Sequence, residues 1–387
     1  MLKVKLVTIG RFWHFHLARQ LLKYNLLDEI YSGYPKFKLV DEKNIPSKKI
    51  KTYPYYQVPY LFYNRYFQNT LPFINHYLSD LSHKKIAIKV SKNIGNSNVL
   101  IGTSGSGLEA GKKIKSLNGK FVCDRGSTHI NFQNETIKNE YKNFNLDYNE
   151  ISQKTVEREL EEYDTADLIS VHSSFVYNSF LKNGIEEKKL FLNPFGVNLD
   201  RFSPLPKIND GKFQVLYVGT LSIRKGIFYL LEAFKKLNFK NKKLTLIGPI
   251  EKNIKDKVFK NLSDKIEYLS VIKNKDLNRY YSMADVMVQP SIEEGLSLVM
   301  AEALACGCPV IATENTGASD LFQNNKEGFI IKAKSIEQIH DKMQLLADNK
   351  ILQKEMSNNA VLNVEKIGGW NHYGDNWQKK LKNIIND

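Results

Sequence analysis

The chain of 387 residues is 42% hydrophobic, which is long and apolar enough for two domains, each with its own core. Its 56 lysines and arginines exceed its 41 aspartates and glutamates by 15, and its three cysteines are too few for a disulfide framework or a zinc site. Two lysines interrupt the first apolar segment, unlike in a signal peptide, and no run of about 18 apolar residues lacks a charge. We therefore expect a cytoplasmic protein without a membrane span.

The positive charge is concentrated at the start of the chain, where residues 1–100 hold 16 basic and 5 acidic side chains. An anionic surface or ligand on the N-terminal side would explain this excess. An AT-rich genome, which raises the lysine content without any anionic partner, explains it equally well.

Short apolar runs alternate with helical patterns from end to end, and this alternation predicts parallel sheets with crossover helices. In the first half, the predicted helices cover about 12–25, 105–117, 134–163 and 174–183. The predicted strands of this half are Val4–Ile9, Val99–Ile101, Lys120–Cys123, Leu168–His172 and Leu190–Asn193.

A segment with two prolines and no periodicity, residues 201–212, is typical of a domain linker. The alternation then resumes, with predicted helices near 226–238, 275–283, 296–306, 335–348 and 351–365. The predicted strands are Phe213–Val218, Leu244–Ile247, Lys265–Tyr268, Val286–Gln289, Pro309–Ala312 and Phe329–Ile331. Two such halves predict an α/β protein with two doubly wound, Rossmann-like domains facing a central cleft.

The most specific motif, residues 290–312, carries two glutamates eight positions apart, Glu294 and Glu302. A strand is predicted to end at Pro290 and a helix to open at about Leu296, and the free N–H groups at such a helix start form an anion site. A carboxylate two turns along can accept two hydrogen bonds from a vicinal diol. The alternative interpretation is a pair of solvated glutamates, which a helix N-terminus also favours. The candidate ligand-binding positions around this turn are Glu294, Gly295, Leu296, Ser297, Leu298 and Glu302.

This motif resembles the E-x7-E signature of retaining glycosyltransferase family 4 (glycosyl transferases group 1), whose members have the GT-B fold. The resemblance implies that Glu294 binds the donor sugar and takes part in catalysis, and that Glu302 binds the ribose hydroxyls. It also implies an acceptor-binding domain at 1–200, a linker at 201–212, a nucleotide-sugar domain at 213–367 and a helix at 368–387 that crosses back to the first domain. The similarity covers nearly the whole chain and is weaker in the N-terminal half.

A second loop, residues 219–226, lies between a predicted strand and a predicted helix and carries Arg224 and Lys225. A guanidinium fork and an ammonium charge are suited to a diphosphate. In the family an arginine follows Gly219; here Thr220 occupies that position, so Arg224 is the candidate substitute. Both cations are predicted to be catalytic and donor-binding, whereas the alternative is a basic surface turn.

The remaining predicted site positions come from three other loops. In the family, the glycine of the first loop, here Gly10, abuts the donor phosphate, and a histidine after a later strand lies near the anomeric centre. His129 is the match for that histidine, with helix capping as its alternative role. We expect the base to lie against backbone near Ile272. His14 and His16 could face the acceptor, although packing is the commoner role for histidines in an aromatic-rich helix start.

The loop that begins Gly105-Ser106-Gly107 imitates a dinucleotide-binding fingerprint, because it follows a strand and Asp124 ends the next one. An NAD enzyme would result. The loop lies in mid-domain, however, and alanine replaces the last glycine of the motif.

Residues 48–67 combine three lysines and an arginine with eight aromatic rings. Such a segment suits a lipid headgroup interface or a sugar-lipid acceptor, and it also suits a single nucleic-acid strand. A partly buried aromatic loop is the third interpretation.

Together these features predict a retaining hexosyltransferase (EC 2.4) that moves a sugar from a nucleotide diphosphate sugar to a glycan or lipid-linked acceptor in cell-surface polysaccharide or glycolipid synthesis. No cofactor or metal is expected, because no two aspartates are spaced as Asp-x-Asp and fixed cations could hold the diphosphate. The expected location is cytoplasmic, with peripheral attachment to the anionic inner face of the membrane, and no nucleic-acid partner is expected. The alternatives are a nucleotide-sugar epimerase of the same fold and a basic nucleic-acid-binding protein.

Overall fold

The computed structural model describes residues 2–67, 71–207 and 210–386. Ile208 and Asn209 of the predicted linker lie outside the described residues, as do the chain's first and last residues. Within the described residues the chain forms two parallel sheets connected by helices on both faces.

The first sheet has the strand order β3-β2-β1-β4-β5-β6-β7. Its strands are β1 Val4–Thr8, β2 Leu27–Ser32, β3 Ile50–Thr52, β4 Val99–Thr103, β5 Lys120–Arg125, β6 Leu168–Val171 and β7 Leu190–Leu192. The helices of this half are α1 His14–Lys23, α2 Gln57–Phe67, α3 Pro72–Ser91, α4 Leu108–Lys115, α5 Ile130–Asn143, α6 Gln153–Thr165 and α7 Ser174–Lys182.

The second sheet has the order β10-β9-β8-β11-β12-β13. Its strands are β8 Phe213–Val218, β9 Lys242–Ile247, β10 Ile266–Leu269, β11 Val286–Gln289, β12 Val310–Thr313 and β13 Gly328–Ile331. The helices are α8 Ile227–Lys236, α9 Lys255–Lys260, α10 Leu277–Met283, α11 Leu298–Ala305, α12 Ile336–Asp348, α13 Lys350–Ile367 and α14 Gly369–Asn386.

The two-domain α/β prediction is confirmed, with differences at particular elements. The strands β2 and β3 and the helix α3 were not among the predicted elements, and α5 and α6 correspond to the single predicted helix 134–163. One interpretation of residues 48–67 was a loop, whereas they contain β3 and α2. β2 was not predicted because Asp28 and Glu29 interrupt its apolar run. The carboxylates of both residues lie within 3.2 Å of the ammonium of Lys5, a residue of the neighbouring β1 that is 2% exposed.

The strand order reverses between β1 and β4 in the first sheet and between β8 and β11 in the second. At such a reversal the crossover helices leave on opposite faces, so a crevice opens beyond the carboxyl ends of the two strands. In the second sheet, the loops at this position are residues 219–226 and 290–297, which carry Lys225 and Glu294.

Two helices tie the halves together. Ile137 and Tyr141 of α5, in the first half, belong to the same buried apolar cluster as Phe213, Leu230 and Val286 of the second. The last helix, α14, returns to the first half, where Trp370 stacks on His16 of α1 with ring centroids 4.0 Å apart, and Trp377 is fully buried.

Candidate active site

The two loops at the β8/β11 reversal are locked together by their backbones. The amide of Ile292 donates to the carbonyl of Arg224 at 2.8 Å. Gly226 directly precedes α8 and has a φ of +68°. It lies so close to Pro290 that a Cβ on it would be 2.0 Å from the Pro290 carbonyl oxygen. Glycine is therefore required for both conformation and space, and the side chains that precede it are fixed relative to the second loop.

Lys225 and Glu294 form an ion pair across these loops, and their side chains are 19% and 13% exposed. Burial, together with the adjacent charge of Arg224, lowers the pKa of Lys225 to about 7. Both side chains lie at the crevice. A phosphate bound there could therefore replace the Glu294 carboxylate as the partner of the Lys225 ammonium. Both residues were predicted for the donor site, and the structure brings their side chains together.

Glu302 lies on α11, which begins at Leu298 rather than at about Leu296; Leu296 and Ser297 complete the preceding turn. Its carboxylate accepts hydrogen bonds from Asn274 Nδ2 at 3.0 Å and from the Tyr281 hydroxyl at 2.8 Å. Burial raises its pKa, although these two hydrogen bonds oppose the shift. The structure thus holds the Glu302 carboxylate against Tyr281 of α10, about one helical turn from the start of α11.

Other predicted donor positions lie at the carboxyl ends of strands. Gly219 has a φ of +149°, and its carbonyl lies against Gly248, where a Cβ would be 2.1 Å from the Gly219 oxygen. Thr220 is exposed at the crevice, and Ile272 is half-buried in the loop after β10. Gly10 follows β1 and is covered by the Phe12 ring, 3.1 Å from where its Cβ would be. The donor-binding roles of these four residues stay predictions.

Arg224 is oriented differently from the prediction. Its Nε donates to Glu293 Oε2 at 2.7 Å, and its Nη2 donates to the Ser127 hydroxyl of the first domain at 2.9 Å. The guanidinium is therefore directed at the domain interface, and the assignment of Arg224 as the substitute diphosphate cation stays a prediction. Glu293 is fully buried, and it was not among the predicted site residues because the neighbouring Glu294 fits the motif. The sequence feature that could have indicated it is the presence of two adjacent glutamates in one crevice loop and two adjacent cations, Arg224 and Lys225, in the other.

His129 has the capping role. Its Nδ1 accepts from the amide of Asn131 at the start of α5, and its ring packs between Tyr163 and Phe180, with centroids 5.2 and 5.1 Å away. The residue is 2% exposed. Its predicted catalytic role is therefore corrected, because the ring points into the core of the first domain rather than into the cleft.

The histidines of the first loop are also packing residues. His14 is fully buried, with its Nε2 3.3 Å from Asp124, and burial lowers its pKa to about 4. The same carboxylate accepts from the indole of Trp13 at 2.7 Å and lies 3.0 Å from His172 Nε2. His16 is stacked on α14, as described above. The packing interpretation of His14 and His16 is confirmed.

The loop that imitates a dinucleotide fingerprint already holds an anion from the chain itself. The carboxylate of Glu162 on α6 accepts from the amides of Gly105, Gly107 and Leu108 at 2.5, 2.7 and 2.8 Å. These are the N–H groups that a pyrophosphate would need. Because Glu162 is fully buried under the loop, the NAD interpretation is wrong for this position.

The first domain presents an unusual exposed face at α2 and the start of α3. Its large hydrophobic side chains include Phe62, which is 59% exposed, and Phe73, which is 67% exposed. The rings of Phe62 and Tyr66 have centroids 5.0 Å apart. The ammonium of Lys252, in the loop after β9, donates to the carbonyl of Arg65 at 2.7 Å. The end of α2 therefore lies beside the second domain.

Within the parts of the chain that the structure describes, no helix combines the length and apolar content needed to cross a bilayer. In those same parts, no three His, Cys, Asp or Glu side chains cluster as metal ligands would.

The fold is similar to those of solved glycosyltransferases. HepE from Anabaena, solved with UDP and glucose, superposes with a TM-score of 0.72 at 14% identity, covering 99% of this chain and 100% of that one. Sucrose-phosphate synthase from Thermosynechococcus elongatus gives 0.71 at 18% identity, covering 100% and 99%. At such identities the likeness shows the fold alone, which is GT-B.

Sequence relatives match about half of the chain or less. The capsular polysaccharide biosynthesis glycosyltransferase CapM of Staphylococcus aureus is 28% identical over 222 residues, or 51% of this chain and 57% of CapM. The putative colanic acid biosynthesis glycosyltransferase WcaL of Escherichia coli is 26% identical over 162 residues, 39% of this chain and 40% of WcaL. The chain thus spans about half the length of the curated relatives it matches. The model of the family described as glycosyl transferases group 1 matches residues 200–362. That segment of the chain is therefore similar to the glycosyl transferases group 1 family.

Proposed function

We propose that the chain is a retaining glycosyltransferase of family 4, a hexosyltransferase that uses a nucleotide diphosphate sugar without a metal ion. The observation that carries the proposal is the Lys225–Glu294 ion pair at the β8/β11 reversal, with Glu302 further along the same motif. The ammonium of Lys225 suits the negative charge of the donor's diphosphate, and the carboxylates of Glu294 and Glu302 suit the hydroxyls of its sugar and its ribose. The relatives named for capsular polysaccharide and colanic acid synthesis support a role in cell-surface polysaccharide or glycolipid assembly.

In this proposal, donor binding exchanges the partners of the ion pair. The ammonium of Lys225 moves from Glu294 to the diphosphate, and Glu294 is freed to accept hydrogen bonds from hydroxyls of the donor sugar. Glu302, held by Tyr281 and Asn274, accepts from the ribose diol. As the glycosidic bond to phosphate breaks, Lys225 meets the charge that develops on the leaving diphosphate.

We propose transfer on the same face of the sugar, with a leaving phosphate oxygen taking the proton of the acceptor hydroxyl. The carboxylates of the first domain near the cleft support this proposal, because they are engaged elsewhere. Asp124 is bound by Trp13, Glu159 pairs with Arg125 at 2.6 Å, and Glu162 holds the α4 amides; all three are buried. A trapped covalent glycosyl-enzyme would contradict the same-face proposal.

The face formed by α2 and the start of α3 supports a lipid-linked acceptor and peripheral attachment to the cytoplasmic face of an anionic membrane. Residues 30–100 hold 11 basic and 3 acidic side chains, and amphipathic rings beside cations suit a headgroup interface. Because Lys252 bonds to the end of α2, a bilayer on this face would lie beside the loop after β9 of the second domain.

Vesicle sedimentation tests the attachment. Wild-type protein should bind phosphatidylglycerol vesicles at low salt and be released as salt rises, and Phe62→Ser with Phe73→Ser should weaken binding at least tenfold. Phe259→Ser, which removes an exposed ring (41%) from the second domain, is the matched control and should bind as the wild type does. Equal binding by all variants, or a preference for single-stranded RNA over vesicles, would contradict the membrane proposal.

Thermal unfolding with UDP, GDP, ADP, CMP and their sugar conjugates tests the donor site. A ligand at 100 times its Kd stabilises the folded state by about 2.7 kcal/mol. We expect one nucleoside diphosphate to do so equally with and without EDTA, and its sugar conjugate to be consumed only when an acceptor is present. Conversion of the donor in the absence of an acceptor would instead identify an epimerase. If no nucleotide changed the unfolding temperature, the proposed donor site would be contradicted.

A further inference from the structure

The loop that carries Glu294 is held by the opposite domain through the residue before it. The carboxylate of Glu293 accepts hydrogen bonds from the amide and hydroxyl of Thr128, at 3.1 and 2.7 Å, and from Gln133 Nε2 at 3.2 Å. Thr128 and Gln133 belong to the β5–α5 segment of the first domain. Three hydrogen bonds thus join one side chain of the donor domain to the acceptor domain.

The residue after Glu294 is held in the same way. The hydroxyl of Ser173, at the start of α7 in the first domain, donates to the carbonyl of Gly295 at 2.6 Å. A Cβ on Gly295 would lie 2.0 Å from the carbonyl oxygen of Gly126, so the two backbones touch. Glu294 therefore lies between two residues that the first domain grips, while Glu294 itself reaches the crevice.

Glu293 is a fully buried charge whose partners depend on docking. Among the described residues, Arg224 is its ion-pair partner from its own domain, at 2.7 Å. Burial alone would raise the pKa of Glu293, but Arg224 and the two Thr128 hydrogen bonds hold it below its usual value. If the domains separated here, the carboxylate would lose Thr128 and Gln133 and keep Arg224. Its complete set of donors exists only in the docked arrangement.

The contacts continue into the first domain as one polar network. Gln133 Oε1 accepts from Arg125 Nη2 at 2.8 Å, and Arg125 pairs with Glu159 of α6 at 2.6 Å. Arg125 also donates to the carbonyl of Thr128 at 3.1 Å, which fixes the loop that offers the amide and hydroxyl to Glu293. Buried networks of this kind are rigid when every member is satisfied.

We propose that Glu293 and Thr128 are positioning residues that set the conformation of Glu294 when the two domains dock. The inference rests on the proposed role of Glu294 toward the donor sugar. It follows that the nucleotide can bind to the second domain alone, whereas Glu294 takes its working position only when the acceptor domain is in place. The donor sugar is then activated where an acceptor can receive it, and not before.

The test separates binding from turnover in Thr128→Val and Glu293→Gln. A hydrogen bond to a charged group contributes roughly 1.5–3 kcal/mol, which corresponds to a change of about 10- to 150-fold. We expect kcat to fall about tenfold or more in each variant while the Kd of UDP stays within about twofold. The double variant should fall by less than the product of the two single effects, since both remove the same contact.

Tyr229→Phe is the matched control, because it removes another hydrogen bond between the domains, from Tyr229 to Glu140 at 2.6 Å, without touching residues 290–297. Its kcat should stay within about twofold of the wild type. Wild-type kcat in Thr128→Val and Glu293→Gln, or an equal loss in Tyr229→Phe, would overturn the proposal.

Hydrogen–deuterium exchange tests the positioning without relying on activity. Amides of residues 290–297 should exchange at least several-fold faster in Thr128→Val than in the wild type or in Tyr229→Phe. Unchanged exchange in Thr128→Val would overturn the positioning proposal even if transfer is never detected. Faster exchange in Thr128→Val, combined with a wild type that is inactive with every donor, would contradict the proposed function but not the positioning. Thr128→Val leaves the Arg224–Glu293 pair intact, so it provides the test if Glu293→Gln does not fold.

Discussion

Donor binding should depend on pH through Lys225. Burial lowers the pKa of this ammonium to about 7, so it is half neutral near neutral pH in the free protein. A bound diphosphate stabilises the charged form and raises that pKa, so binding takes up a proton. Affinity is therefore highest below the free-state pKa and falls as pH rises through it.

The size of the effect follows from the protonated fraction of Lys225 in the free protein. With a pKa of about 7, that fraction falls from roughly nine-tenths at pH 6 to roughly one-hundredth at pH 9. If the bound lysine stays charged, the affinity should fall about 90-fold over this range, or about 2.7 kcal/mol.

Isothermal titration calorimetry between pH 6 and 9 measures this dependence. UDP-glucose is a better probe than UDP, because its diphosphate is a diester and lacks the phosphate ionisation near pH 6 that UDP has. Lys225→Arg is the control, since a guanidinium stays charged throughout the range and should give a nearly flat profile. A flat profile in the wild type, or the same slope in Lys225→Arg, would refute the reasoning.

Three further predictions concern single side chains. Lys225→Ala should lower kcat about 10²- to 10³-fold at saturating donor, measured by release of nucleotide, and intact turnover would show that Lys225 does not meet the leaving diphosphate. Glu302→Gln should raise the Kd of UDP about tenfold or more, because a carboxylate accepts from a diol more strongly than an amide does; an unchanged Kd would exclude the ribose contact. Glu162→Ala, which leaves the amides of Gly105, Gly107 and Leu108 without their acceptor, should lower the free energy of unfolding by about 3 kcal/mol in urea titrations. The affinity for UDP should not change in that variant, and an NAD-binding loop would be indicated if NAD stabilised the wild type.

The donor side of the site could be predicted from sequence because its determinants are local. Lys225 precedes the glycine that begins α8, and Glu294 and Glu302 flank the start of one helix, so spacing alone brings them near the crevice. The strand reversal that joins their two loops follows from the alternation of strands and helices. The boundary of α11 was predicted two residues early, since Leu296 and Ser297 are compatible with either a turn or a first helical turn.

The acceptor side could not be predicted because its contacts are distant in sequence. Glu293 meets Thr128 and Gln133 more than 150 positions away, and nothing near Glu293 indicates them. His129 lies at a suitable place in the chain, but Tyr163 and Phe180 decide which way its ring points. Side-chain direction after a strand is set by tertiary packing, which motif spacing does not encode.

The helix α5 makes the boundary between the halves a poor place to cut the chain. Ile137 and Tyr141 are 7% and 5% exposed because they fill a cluster built mostly from residues beyond 213. A fragment limited to the family segment, residues 200–362, would lose them and would leave an apolar hole open to water. We expect such a fragment to aggregate when expressed, and the full chain to unfold in a single calorimetric transition, since the core of the second half closes only with α5 of the first.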